Sequence, residues 1–131
     1  MPARSTPLIL IVDDFEDALS MYREYLAFKG FRVVTARTGA EAITIALVEK
    51  PDVIFMDLRM ANMTGVEAMH TLRADPDFHK VPIVAFTAHA FDSDRVDALK
   101  DGFDELIAKP CLPNDLADAV GRLLALDRHR P

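Results

Sequence analysis

The sequence predicts a doubly wound α/β domain, a parallel five-stranded sheet with helices on both faces. Three observations predict it. Strand-like apolar runs alternate with helix-like amphipathic runs, five of each, along 131 residues. Several strand runs are apolar throughout, as strands covered on both faces require. Acids, a threonine and a lysine stand just after the strand runs, where an open parallel sheet binds its ligands.

The first strand is Leu8-Ile9-Leu10-Ile11-Val12. A helix follows from about Phe15 to Lys29, with Leu19, Tyr22 and Leu26 at helical spacing, and Gly30 stops it. Phe31 to Ala36 is the second strand and carries the β-branched pair Val33-Val34. Thr38-Gly39-Ala40-Glu41 reads as a capping box opening the second helix, whose buried stripe is Ala42, Ile43, Ala46 and Leu47. Asp52 to Met56 is the third strand, and 57–63 a loop. Thr64-Gly65-Val66-Glu67 is a second capping box, and its helix runs to about Ala74, where Asp75-Pro76-Asp77 breaks it. Pro82 to Phe86 is the fourth strand, and the fourth helix lies near Asp92 to Lys100, ending at Asp101-Gly102. Phe103 to Ala108 is the fifth strand. Pro113 suits the first turn of the last helix, with Leu116, Val120, Leu123 and Leu124 as its stripe. One domain over 1–131 is expected, its core about 7–126, with 1–6 a flexible lead-in and 127–131 a frayed tail.

Composition narrows the function classes. A formal net charge of −6 argues against a nucleic-acid or anionic-membrane surface, which needs a dense Lys/Arg face. No apolar run approaches the ~20 residues that span a bilayer. The opening residues do not form a signal peptide. Cys111 is the only cysteine, which excludes an internal disulfide and fits a reducing, cytoplasmic setting. His70, His79 and His129 match no metal-ligand spacing, and no Ser-His-Asp or Cys-His set is legible.

The strand ends carry Asp13 and Asp14, then Asp57, Thr87 and Lys109. Each alone is ordinary: an aspartate after a strand is usually a cap or a turn, and a lone lysine is usually solvated. Together at four strand ends they are chemically coherent. Three carboxylates in one crevice repel, and a divalent cation relieves that; an all-oxygen hard site suits Mg2+. A carboxylate can attack a phosphoryl donor to give an acyl phosphate. The transferred oxygens then need neutralising by metal, ammonium and hydroxyl.

The pieces Leu10-Ile11-Val12-Asp13-Asp14, Phe55-Met56-Asp57-Leu58-Arg59-Met60, Gly65, Ala85-Phe86-Thr87-Ala88 and Ala108-Lys109-Pro110 come in order over about 7–126. The chain resembles a response-regulator receiver domain of two-component signalling, of the single-domain chemotaxis type. The resemblance implies a flavodoxin-like (βα)5 fold with strand order 2-1-3-4-5. It implies that Asp57 accepts the phosphoryl group. Asp14 would bind Mg2+ directly, Asp13 largely through water, and the Arg59 carbonyl would complete the protein's ligands. Lys109 would pair with the phosphate, its bond to Pro110 cis; Thr87 would follow the phosphoryl group, and Ala88 would leave it room. The partners implied are a sensor histidine kinase or a histidine phosphotransfer protein upstream and an unknown protein downstream. The domain would catalyse only its own phosphorylation and dephosphorylation. No output segment is legible, so the output is expected to be a protein contact, unless the chain is cut from a larger protein.

Two positions depart from the family pattern. Leu106 stands where many receivers carry an aromatic switch residue, and Ala61 where proline is common. Arg59 and His89, two residues beyond Asp57 and Thr87, are candidates to influence hydrolysis of the acyl phosphate. Two other readings compete. A receiver-like interaction module would switch without phosphorylation. A haloacid-dehalogenase-type phosphohydrolase needs an Asp-x-Asp pair after the first strand, and Asp13-Asp14-Phe15 does not supply it. A flavin or dinucleotide domain would need a Gly-rich phosphate loop after the first strand, and none follows it.

Overall fold

A computed structural model describes the backbone of residues 6–60, 63–87, 92–109 and 112–128, and their side chains except those of 92–96 and 126–128. The strands are β1 (Leu8–Val12), β2 (Arg32–Ala36), β3 (Val53–Asp57), β4 (Ile83–Thr87) and β5 (Glu105–Ala108). The helices are α1 (Glu16–Phe28), α2 (Gly39–Glu49), α3 (Gly65–Arg73), α4 (Asp92–Asp101) and α5 (Pro113–Arg128), with a short 3-10 turn at Pro76–Phe78. All pairings are parallel, in the order β2-β1-β3-β4-β5. The expected fold and strand order hold.

Alternation along the strands divides the core in two. Leu10, Val12, Ile54, Met56, Ala85 and Leu106 meet Ala42, Ala46, Met69 and Leu72 of α2 and α3. Ile9, Ile11, Phe55, Val84 and Phe86 meet Leu19, Tyr22 and Leu26 of α1 and Leu116 and Val120 of α5. Strands β1, β3 and β4 are buried along their whole length, which is why they read as unbroken apolar runs.

The ends of the elements obey local chemistry. Gly30, at φ +99°, ends α1 in a Schellman motif: its N–H donates to Ala27 O and the Phe31 N–H to Leu26 O. The capping box at Thr64 is complete, with both reciprocal bonds to Glu67 present. The one expected at Thr38 is only half formed. Thr38 accepts from the Glu41 N–H, but the Glu41 carboxylate accepts from the Arg37 N–H, one residue earlier than the box requires.

Other expectations shift at their edges. Strands β3 and β4 each extend one residue further, taking in Asp57 and Thr87, because both still pair in the ladder. β5 starts at Glu105 rather than Phe103. Leu47 leaves the expected stripe of α2: it is 41% exposed, while Ile45 packs against the core in its place. Helix α5 runs on to Arg128, two residues into the stretch expected to fray.

Candidate functional site

Register creates the site. Val12 lies opposite Met56, Asp57 opposite Phe86, and Thr87 opposite Ala108. Residues just past one end of the sheet therefore stand side by side: Asp13 after β1, Asp57 ending β3, Thr87 ending β4 and Lys109 after β5. The backbone carries this on, since Asp13 N–H donates to Ala36 O and Lys109 N–H to Thr87 O.

The Lys109 ammonium bridges the acids. Its Nζ donates to Asp13 Oδ2 at 2.7 Å and to Asp57 Oδ2 at 3.2 Å, across 96 and 52 residues of sequence. Asp13 is 1% exposed, Asp57 6% and Thr87 2%. Asp14 is exposed and faces the same acids; one carboxylate oxygen from each of Asp13, Asp14 and Asp57 lies within 4.8 Å of the others. The remaining oxygens are held by neighbouring backbone. Asp13 Oδ1 accepts from the Phe15 N–H at 2.9 Å, and Asp57 Oδ1 from the Arg59 N–H at 3.1 Å.

These contacts set the electrostatics. Burial pushes the Asp57 carboxyl above its ordinary range; the Arg59 N–H and the Lys109 charge pull the other way, and Asp13 adds to the rise. Burial favours a neutral Lys109, but the hydrogen bond to Asp13 and the charges of Asp57 and Asp13 outweigh it, and the lysine stays above its ordinary value. One lysine thus faces two buried carboxylates, and an exposed third stands beside them. A hard, oxygen-binding divalent cation fits that donor set, and Asp13, Asp14 and Asp57 are the residues that could hold it.

All five sequence-predicted side-chain positions, Asp13, Asp14, Asp57, Thr87 and Lys109, converge on this crevice. Arg59 contributes a backbone N–H to Asp57, while its side chain is exposed over a neighbouring cleft. Ala61, Ala88, His89, Pro110 and Cys111 lie outside the described residues, and with them the expected cis bond. Met56, Met60, Met63 and Met69 serve the core and the adjoining loop. Leu106 is 2% exposed and packs in the core under α4. His70, which fits no metal-ligand spacing in the sequence, has its Nε2 3.0 Å from the Asp101 carbonyl oxygen.

The roles of two residues escaped the sequence reading. The Phe86 ring lies 4.6 Å from the Lys109 Nζ, a cation–π contact that steadies the ammonium; in sequence it reads only as strand core. Gly65 at the start of α3 touches the acceptor's own backbone, so that a Cβ there would lie 2.9 Å from Leu58 Cα and 3.0 Å from the Asp57 carbonyl carbon. The family pattern marks the glycine, but only the packing supplies its reason.

Comparison with known proteins shows the family. The family model for the response regulator receiver domain matches residues 9–121. The chain belongs to the response regulator receiver family. Its setting is two-component signalling. The receiver is similar to the transcriptional regulatory protein PrrA of Mycobacterium bovis, with 39% identity over 127 residues, 96% of this chain and 52% of the relative. It is 30% identical over 105 residues to the polar-differentiation response regulator DivK of Brucella ovis, covering 80% of this chain and 85% of that one. The receiver thus spans about half the length of the first of these relatives and most of the second. Among solved structures, the chemotaxis protein CheY4 of Vibrio cholerae superposes with a TM-score of 0.86 at 28% identity, covering 91% of this chain and 99% of that one. Among the described residues no helix is long and apolar enough to cross a membrane.

Proposed function

We propose that this receiver takes a phosphoryl group from a phosphohistidine onto Asp57, with Mg2+, and passes the signal on through a protein contact. The donor is a sensor histidine kinase or a histidine phosphotransfer protein, met in the cytoplasm. One observation carries the reading: the Lys109 ammonium bridges buried Asp13 and Asp57 beside Asp14, in a family whose members act in two-component signalling.

In the proposed step an Asp57 oxygen attacks phosphorus. The phosphorus–oxygen bond forms as the phosphorus–nitrogen bond to the donor imidazole breaks, and the electron pair returns to that nitrogen. Lys109, already donating to Asp57, takes up the charge gathering on the phosphoryl oxygens. The Thr87 hydroxyl donates to another of them. Asp13, Asp14, Asp57 and the Arg59 carbonyl would hold Mg2+, which supplies charge neutralisation for the phosphoryl oxygens. Because the lysine and the acids are positioned before the donor arrives, catalysis is chiefly positioning plus electrostatics. The domain hastens its own phosphorylation and dephosphorylation without turning over a free substrate.

The test is transfer of label from a phosphohistidine donor, with and without Mg2+. The wild-type domain is expected to label only with the metal, and Asp57→Asn not at all. Equal labelling of Asp57→Asn would overturn the acceptor assignment. Leu106 lends some weight to the reading in which this is an interaction module that switches without phosphorylation, because an aliphatic side chain already buried there has no ring to turn inward. Failure to bind beryllofluoride with Mg2+ would favour that alternative.

A further inference from the structure

We infer that the open edge of β2 docks an extended segment of another protein, which adds as a sixth strand and carries an acidic residue followed by a basic one. None of the residues lining this edge belongs to the acid and lysine site.

Strand β2 ends the sheet on one side. Arg32 N–H donates to Pro7 O and Ala36 O accepts from Asp13 N–H, so Arg32, Val34 and Ala36 turn their backbone toward β1. Alternation turns the N–H and C=O of Val33 and Thr35 outward, and among the described residues nothing bonds to them. Such an edge is a template for pairing unless charge, proline or a bulge blunts it. Val33-Val34-Thr35 carries neither charge nor proline and is β-branched throughout. Arg32, at the start of the strand, has its Nε turned to Thr6 O. The opposite edge, β5, is shorter and carries Glu105, paired with Arg122.

A groove of about 380 Å3 follows the β2 edge between α1 and α2, within the ~300–1,000 Å3 range of ligand-binding clefts. It draws on both faces of the sheet. Arg23 of α1 lines it with Val33 and Thr35 on one face, and Ile45 and Glu49 of α2 with Val34 on the other. Side chains of an added strand alternate between those faces, so the two walls read successive residues of the occupant. The residue toward α1 meets Arg23 and is acidic. The next turns toward α2, where a lysine or arginine lays its stem over Ile45 and its charge beside Glu49. Among the described residues neither Arg23 nor Glu49 makes an ion pair. A second copy of β2 does not fit: paired antiparallel about Val34, it turns Val33 and Thr35 toward α1 and brings no acid to Arg23. Antiparallel addition is the slightly more stable kind, and it lets Val33 and Thr35 each exchange both backbone bonds with the residue opposite.

The experiment titrates the whole chain with the peptide acetyl-Thr-Glu-Lys-Val-Thr-amide, following backbone amides by NMR. Saturable shifts centred on Val33 and Thr35, with slowed exchange of both amides, are expected. The peptide with Glu and Lys interchanged should bind about tenfold more weakly, from two exposed charge contacts turned from attraction to repulsion. Arg23→Glu/Glu49→Arg should reverse that preference while melting with the wild type, since both side chains are exposed. N-methylation at the peptide's Glu or Val, whose amides face β2 in the antiparallel register, should abolish saturable binding; N-methylation at its Lys should not. No saturable shift, equal binding of the interchanged peptide, an unreversed preference in the double variant, or loss on N-methylation at Lys alone would overturn the inference. Self-association of the chain without peptide, with the Val33 and Thr35 amides protected, would overturn it in favour of a second copy.

Discussion

Replacing Gly65 with alanine isolates one contact on which the acceptor's position depends. The new Cβ would fall well inside van der Waals distance of the Asp57 carbonyl oxygen, and at 2.9 Å and 3.0 Å from Leu58 Cα and the Asp57 carbonyl carbon. All three atoms are backbone, so no rotamer change relieves the overlap. Either α3 retreats or the end of β3 moves, and the first choice strains the Gly65 N–H bond to Leu58 O. Overpacking of this kind costs about 1–3 kcal/mol, against which alanine returns at most about 1 kcal/mol of helix propensity. A net loss of about 2 kcal/mol is expected from urea denaturation followed by circular dichroism. Beryllofluoride with Mg2+, measured by calorimetry, should also bind more weakly, because the displaced strand end carries the Asp57 side chain. Gly121 is the internal control. It sits in α5 with nothing within 4 Å of an added Cβ, so Gly121→Ala should gain about 0.5–1 kcal/mol. The reasoning fails if Gly65→Ala is as stable as the wild type and binds the phosphoryl analogue equally well.

Three further expectations follow from the site and its supports. Asp57 holds its proton to a higher pH folded than unfolded, because burial raises its pKa; without metal, its contribution to stability is present below the ordinary carboxylate range and is lost as pH rises through the folded value. Urea midpoints without Mg2+ should therefore decline over that interval in the wild type and decline less in Asp57→Asn; parallel curves would refute it. Added Mg2+ should raise stability by about 2.7 kcal/mol at a concentration 100 times its dissociation constant, and Asp14→Asn should need far more Mg2+ for the same gain. Arg73 donates to the carbonyls of Phe78, Val81 and Gly102 and to the Asp104 carboxylate, which also accepts from the Ile83 N–H. Arg73→Ala strips a charged donor from all four, so a loss of about 2–3 kcal/mol is expected in the same denaturation assay; a change under 0.5 kcal/mol would show the clamp to be idle.

Much of this was legible before any coordinates, for particular reasons. Strands β1, β3 and β4 are covered on both faces, so their apolar runs stand out without periodicity. Gly30 and Thr64 announce helix ends through chemistry confined to a few neighbouring residues. The candidate site was legible because a parallel sheet brings its strand ends together, so that acids far apart in sequence, an interior threonine and a late lysine could be placed in one crevice.

What escaped depended on neighbours distant in sequence. Glu41 could cap Thr38 or Arg37, and its choice is a matter of packed geometry. Leu47 and Ile45 compete for the core, and helix phase alone did not choose between them. Local pattern thus determined the strands, the helices and the cast of charged residues at the strand ends. Tertiary structure alone decided that Lys109 spans both Asp13 and Asp57 over the Phe86 ring, and that Gly65 presses on the acceptor's backbone. The division has a physical cause: capping and amphipathic periodicity act across a few residues, whereas burial, ion pairing and close packing depend on atoms that only the folded chain brings within reach.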